Sequence, residues 1–147
     1  MLERAQARDI PALVALQRLA YAKNRPLLGV EPLPLLADYD ALFESHEIWL
    51  ARGDAGIDGA IILELRDDDL LLWSIATAPS AQGSGLGGAL LAAVDARARQ
   101  LSRDTVRLYT GTPLTHLVAW YARNGYAVEQ VEQLPDRAIT HMVKRLA

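Results

Sequence analysis

Four glycines crowd into the stretch Gly83-Ser84-Gly85-Leu86-Gly87-Gly88, directly after Gln82. With so few side chains, a run of backbone N–H groups is left uncovered. Placed where a helix begins and its peptide dipoles converge, such a run holds phosphate. A lone glycine would argue only for a tight turn, but the clustering at a helix start favours anion binding. Which phosphate ligand is narrowed by the surroundings. The hexad fits the G-x-G-x-x-G dinucleotide pattern, but that site also needs an acidic residue about 20 positions on to hold ribose hydroxyls. Leu108-Tyr109-Thr110-Gly111 stands there instead. The loop also falls past mid-chain, leaving too little sequence for a doubly wound nucleotide fold. A triphosphate-hydrolysing loop needs Gly-Lys-Ser/Thr, and no lysine occurs between Lys23 and Lys144.

Composition removes further classes of chemistry. The 147 residues are 51% hydrophobic and 22% charged with a net charge of -3, which predicts one domain over 1–147 with a substantial core. With no cysteine, disulfides, thiolate nucleophiles and Cys-based zinc sites are absent together. His46, His116 and His141 have no metal-ligand spacing, so no metal is expected. A mildly acidic chain lacks the basic footprint of a nucleic-acid binder, so no nucleic-acid partner is expected. Apolar runs such as Leu70 to Trp73 are far shorter than the roughly 18 residues of a membrane span, so no membrane association is expected. The start Met1-Leu2-Glu3-Arg4 does not resemble a secretory signal, and a cytoplasmic location is the default expectation.

The elements that must position the glycine loop follow from periodicity. Asp9, Pro11 and the apolar spacing of Leu13, Val14, Leu16, Ala20 and Tyr21 predict a helix over about 10–23. A Pro-rich loop follows to Pro34, then a shorter helix over 35–45. The period then changes: 48–51, 57–66 and 70–77 are apolar strands separated by Gly53-Asp54-Ala55-Gly56 and Asp67-Asp68-Asp69, an antiparallel meander in which the Asp triplet is expected as a solvated turn. The third strand is nearly continuous in apolar residues and should be central. It leads through the glycine loop into a helix with Leu86, Leu90, Leu91, Val94, Ala98 and Leu101 on one face, and then to a parallel strand over 105–110. A helix over 114–124, stopped by Gly125, and strands near 126–132 and 138–144 complete a mixed α/β sheet.

Gln82-x-x-Gly85-x-Gly87 resembles the Gln/Arg-x-x-Gly-x-Gly/Ala signature of the GNAT N-acyltransferase superfamily. Trp120-Tyr121-Ala122-Arg123-Asn124-Gly125-Tyr126 resembles that family's later motif, an aromatic-Tyr pair followed by a basic residue and Gly-Phe/Tyr. The element order resembles the family over essentially the whole chain. The resemblance implies a mixed, mostly antiparallel sheet of about seven strands flanked by about four helices, and acetyl-CoA as acyl donor without a metal. It implies that Ile75, Ala76 and Thr77 run beside the pantetheine arm, and that the loop Gln82, Gly83, Ser84, Gly85, Leu86, Gly87 and Gly88 cradles the pyrophosphate. It implies Tyr121 as general acid to the departing thiolate, for which a phenol of reference pKa about 10 is suitably protonated. The residue alternative for Tyr121 is an ordinary core tyrosine. Arg123 stands either near the CoA phosphates or in solvent. An asparagine common in the family is replaced by Leu114, with Thr115 and His116 following.

Many relatives place a glutamate before the glycine loop as base, where this chain has Trp73-Ser74. Glu64 acting through water, then His46 and Glu47, are the weaker candidates, and attack by an already deprotonated amine stays open. Without Cys or an activated Ser, direct transfer in a ternary complex is expected. The acceptor, a small-molecule amine or a protein amino group, would enter between 24–34 and 131–139, which carry Arg25, Glu31, Glu132, Asp136 and Arg137. A catalytically weak acyl-CoA-binding module is the alternative, and a homodimer is left open.

Overall fold

The computed structural model describes residues 2–147. In chain order the elements are β1 (Leu2–Arg4), α1 (Ile10–Tyr21), the single-turn α2 (Arg25–Leu28), α3 (Tyr39–Ser45), β2 (Glu47–Gly53), β3 (Gly56–Leu65), β4 (Leu70–Thr77), α4 (Leu86–Gln100), β5 (Thr105–Gly111), α5 (Thr115–Arg123), β6 (Ala127–Gln133) and β7 (Ala138–Arg145). The seven strands form one mixed sheet in the order β1-β2-β3-β4-β5-β7-β6, with β4 at its centre, as its nearly continuous apolar sequence requires. All pairings are antiparallel except β4 with β5.

Helices cover both faces, and side-chain alternation on β3 decides which residue serves which. Ile61 and Leu63 join Leu90, Leu91, Val94 and Ala98 of α4, whereas Ala60 and Ile62 join Leu13 and Leu16 of α1 and Leu42 of α3. The two layers fix α1 and α4 on opposite sides of the central strand.

The central pairing is brief. β4 and β5 share register only at Leu70↔Val106 and Leu71↔Arg107, while β5 stays paired with β7 along its whole length. A bulge starts the divergence: Ile62 faces Ser74 but Leu63 faces Leu72, leaving Trp73 as the extra residue on β4. A bulge bends its strand and re-aims the side chains beyond it. The result is a wedge between β4 and β5 that opens toward the glycine loop.

The closed end of that wedge corrects the expectation for the Asp triplet. Asp67 and Asp68 are exposed, but Asp69 is only 4% exposed. It accepts from Arg66 at 2.6 and 2.7 Å and from Arg107 at 2.9 Å, so it ties the β3–β4 turn to β5 where the two parallel strands still touch. A buried carboxylate is tolerated there because two guanidinium groups replace its hydration. The segment expected as a loop over 24–34 contains α2, which stops at Gly29 with φ +73. Gly125 ends α5 with φ +97, as expected of a helix-stop glycine.

Candidate active site between the parted strands

A cavity of about 480 Å³ fills the wedge, within the range of small-ligand sites. The glycine loop forms one end. Gly83 and Gly85 take φ of +83 and +86, conformations that an L side chain resists, and Gly85 is the residue from which α4 starts. The first amide of α4 to find a backbone acceptor is that of Ala89, to the Gly85 carbonyl at 3.2 Å. The amides of Gly83, Gly85, Leu86, Gly87 and Gly88 make no hydrogen bond among the described residues, which leaves five donors at the positive end of a fifteen-residue helix. The Gln82 and Ser84 amides instead bond the carbonyls of Pro79 and Ala81, each at 3.3 Å, and the Ser84 hydroxyl also turns back to Ala81. Gln82, Gly83, Gly85, Gly87 and Gly88 line the cavity, whereas the side chain of Leu86 packs into the core. Gly87 has a steric reason to be glycine: a Cβ there would sit 3.0 Å from Trp120 Cζ2.

The β4 wall is formed by Trp73, Ser74, Ile75, Ala76 and Thr77. Behind it lies a buried polar chain. Gln17 donates to the Tyr39 hydroxyl at 2.9 Å and to Ser74 Oγ at 3.0 Å, and Tyr39 in turn donates to the Pro34 carbonyl at 2.7 Å. The Tyr21 hydroxyl lies 2.8 Å from Ser74 Oγ and donates to the Ile75 carbonyl at 3.0 Å. The carbonyl of Ile75 thus already has an α1 partner. Burial pushes the Tyr21 phenol above its ordinary value and Tyr39 to about 12, so both stay neutral donors.

Tyr121 enters from α5 on the opposite wall. It is 7% exposed, lines the cavity, and packs against Trp120 at 5.1 Å and Tyr126 at 5.9 Å between ring centres. Burial, with Tyr21 and Tyr126 nearby, pushes its phenol far above the ordinary value, and its hydroxyl has no protein partner among the described residues. Tyr121, at the cavity wall, therefore keeps its proton at any physiological pH.

The other sequence candidates fall outside this constellation. Glu64 does not line the cavity; its carboxylate stands 3.9 Å from His46 Nε2, and the Ser45 hydroxyl lies 2.7 Å from His46 Nδ1. Glu47 receives two bonds of 2.9 Å from Arg97, which hold its carboxyl below the usual range and commit it to an ion pair. His116 and Arg123 are exposed and line nothing here, while Leu114 is buried at the cavity wall. Two residues that sequence reasoning passed over stand at the site. Lys23 lines the cavity and donates to Gln82 Oε1 at 3.2 Å. Asn24, 3% exposed, lines the cavity, and its carboxamide oxygen has no partner. Nothing in the spacing of the chain pairs position 23 with position 82.

A family model described as an acetyltransferase (GNAT) domain matches residues 44–128. Curated protein sequences give no significant match. Solved structures are similar over nearly the whole chain. A GNAT family acetyltransferase from Elizabethkingia anophelis with acetyl-CoA bound aligns with TM-score 0.78 and 21% identity over 99% of this chain and 97% of that one. The ribosomal-protein-S18-alanine N-acetyltransferase of Escherichia coli aligns with TM-score 0.80 and 16% identity over 100% and 94%. The PaiA N-acetyltransferase of Thermoplasma acidophilum in complex with coenzyme A aligns with TM-score 0.76 and 15% identity over 99% and 98%. At these identities the structures speak for the fold, and the family model, which spans more than half of the sequence, speaks for descent: the chain belongs to the GNAT acetyltransferase family.

Proposed function

We propose that the protein transfers an acetyl group from acetyl-CoA directly to a primary amine, with Tyr121 as the acid. The observation that carries this reading is the convergence, on one cavity, of four lining glycines with unpaired amides, Gly83, Gly85, Gly87 and Gly88, and a proton-bearing phenol without a protein partner among the described residues. The amides of Gly83, Gly85, Leu86, Gly87 and Gly88 suit a diphosphate, with Lys23 adding a cation at the rim. Beyond Leu71 the edge of β4 that faces β5 is free while the other edge stays paired with β3, and Ile75, Ala76 and Thr77 on it suit an extended amide-bearing arm alongside.

The amine lone pair forms the C–N bond at the thioester carbonyl, and the C–S bond breaks with its electron pair going to sulfur. Tyr121 donates its proton to that sulfur and recovers one from the nitrogen, so the products are an amide and a free thiol. Because burial raises the Tyr121 phenol, its contribution centres on a hydrogen bond to developing thiolate charge, strongest in the transition state. No covalent acyl-enzyme is needed.

Thermal denaturation with acetyl-CoA, NADH and ATP tests the binding half: ligand at ~100 times Kd should add about 2.7 kcal/mol of stability. Stabilisation by NADH and not by acetyl-CoA would overturn the reading. Amine-dependent release of free CoA separates an enzyme from a binding module.

A further inference from the structure

The cavity has two unlike ends. Opposite the glycine loop, the end of α2 and the strap joining it to α3 contribute Leu28, Pro32, Leu33 and Pro34, and Trp73 and Ile139 line the same space. All six are apolar. Among the described residues no aspartate or glutamate lines any part of the cavity. The carboxylates of the flanking segments are engaged elsewhere: Glu31 with Arg25 at 2.5 Å, Asp136 with Arg137 at 3.0 Å and Glu132 with His141 at 2.8 Å. Arg137 reaches the cavity wall, but its guanidinium is spent on Asp136 and on the Glu31 carbonyl at 2.8 Å.

An ammonium group entering this space loses hydration and gains no counter-charge, which disfavours its charged form. The cavity also offers no base to remove the proton. Its titratable walls are the phenols of Tyr21, Tyr109 and Tyr121, all raised by burial, and the cations Lys23 and Arg137. The amine must therefore arrive neutral. At pH 7 an alkylamine of lysine-like pKa is neutral to only about four parts in ten thousand, whereas an α-amino group is neutral to about one part in seven. Asn24, buried and without a hydrogen bond to its carboxamide oxygen, supplies an acceptor for an amine N–H but no full counter-charge.

We infer that the acceptor is a weakly basic primary amine on an apolar body, of the kind found in the α-amino group of an aromatic or branched residue, and that polycationic amines are excluded. This rests on the amine acetylation proposed above.

The test is the initial rate of CoA release from acetyl-CoA between pH 6.5 and 9 with four amines: phenylalaninamide, a tripeptide beginning with phenylalanine, phenethylamine and spermidine. At pH 7 kcat/KM for phenylalaninamide or the tripeptide should exceed that for phenethylamine by at least about 30-fold, and that for spermidine by more. The better of the first two shows whether the amine comes from a free small molecule or a chain end. The phenethylamine rate should climb about tenfold per pH unit throughout, while phenylalaninamide levels off near its own pKa. Leu33→Glu, which puts a carboxylate on the wall, should raise the spermidine-to-phenethylamine ratio about tenfold. Preference for spermidine in the unaltered protein, or a break at one shared pH below the pKa of both aromatic amines, overturns the inference. Stabilisation by acetyl-CoA with no CoA release from any amine overturns the transferase reading itself, and this assignment with it.

Discussion

Lys23 Nζ donates a hydrogen bond to Gln82 Oε1 across 3.2 Å, joining the helical turn after α1 to the glycine loop 59 positions later. The contact places an ammonium beside five unpaired amides, and Lys23 makes no ion pair among the described residues. A cation without a carboxylate partner, set beside a loop with unpaired amides, is free to meet an anion.

Lys23→Met should accordingly raise KM for acetyl-CoA about tenfold with kcat little changed, the size of one charge-assisted contact. Rates with the truncated donor acetyl-pantetheine, which has no phosphate, should be the same in both proteins. Equal losses with both donors would assign Lys23 to folding instead.

Two glycines of one loop should respond in opposite directions. Gly85→Ala forces a methyl-bearing residue to φ +86, a strain of about 1–2 kcal/mol, so melting should fall by roughly 3–6 °C and the acetyl-CoA Kd should rise. Gly88 lies inside α4 with nothing within 4 Å of a built Cβ, so Gly88→Ala should be neutral or stabilising by up to about 1 kcal/mol. Calorimetry of both variants without ligand checks the contrast.

Tyr121→Phe should lower kcat about 10²-fold with KM for acetyl-CoA within about threefold, since acid catalysis contributes at that level. Melting should shift by less than about 1 kcal/mol equivalent, because the hydroxyl bonds no protein group. In the unaltered protein the rate should show no decline centred near pH 10: with its phenol raised by burial, Tyr121 keeps its proton through that range. An unchanged kcat in the phenylalanine variant removes Tyr121 from the acid role.

Asp69 gives a pH-dependent stability of known sign. Its bonds from Arg66 and then Arg107 hold the carboxyl below the usual range, so the folded value lies below the unfolded one. The stabilisation is complete above about pH 4 and is lost as pH falls from there through the folded value. Asp69→Asn should cost about 2–3 kcal/mol at pH 7, roughly 5–10 °C in melting, and the gap to the unaltered protein should narrow in acid. A gap that stays constant down to pH 2.5 would show that packing, not charge, accounts for the loss.

Most of the sheet was legible because its signals are local. β4 is apolar at nearly every position, so it had to be covered on both faces, and the glycines before α4 marked a turn at positive φ, which L side chains resist. Asp69 was misread for the complementary reason. In the triplet 67–69 nothing distinguishes the third aspartate; its burial depends on Arg107, which the parallel pairing brings from 38 positions away.

By itself the sequence determined the order of elements, the glycine loop ahead of α4 and the aromatic pair on α5, since each is written in a short window of residue types. Only the tertiary structure decided which groups share the cavity. The bulge at Trp73 parts β4 from β5, which admits Tyr121 from one side and Lys23 and Asn24 from the other, while Glu64 and Glu47 are left outside. Such choices depend on strand register and on long-range partners, and a shift of one residue in either would reverse the face on which each side chain stands.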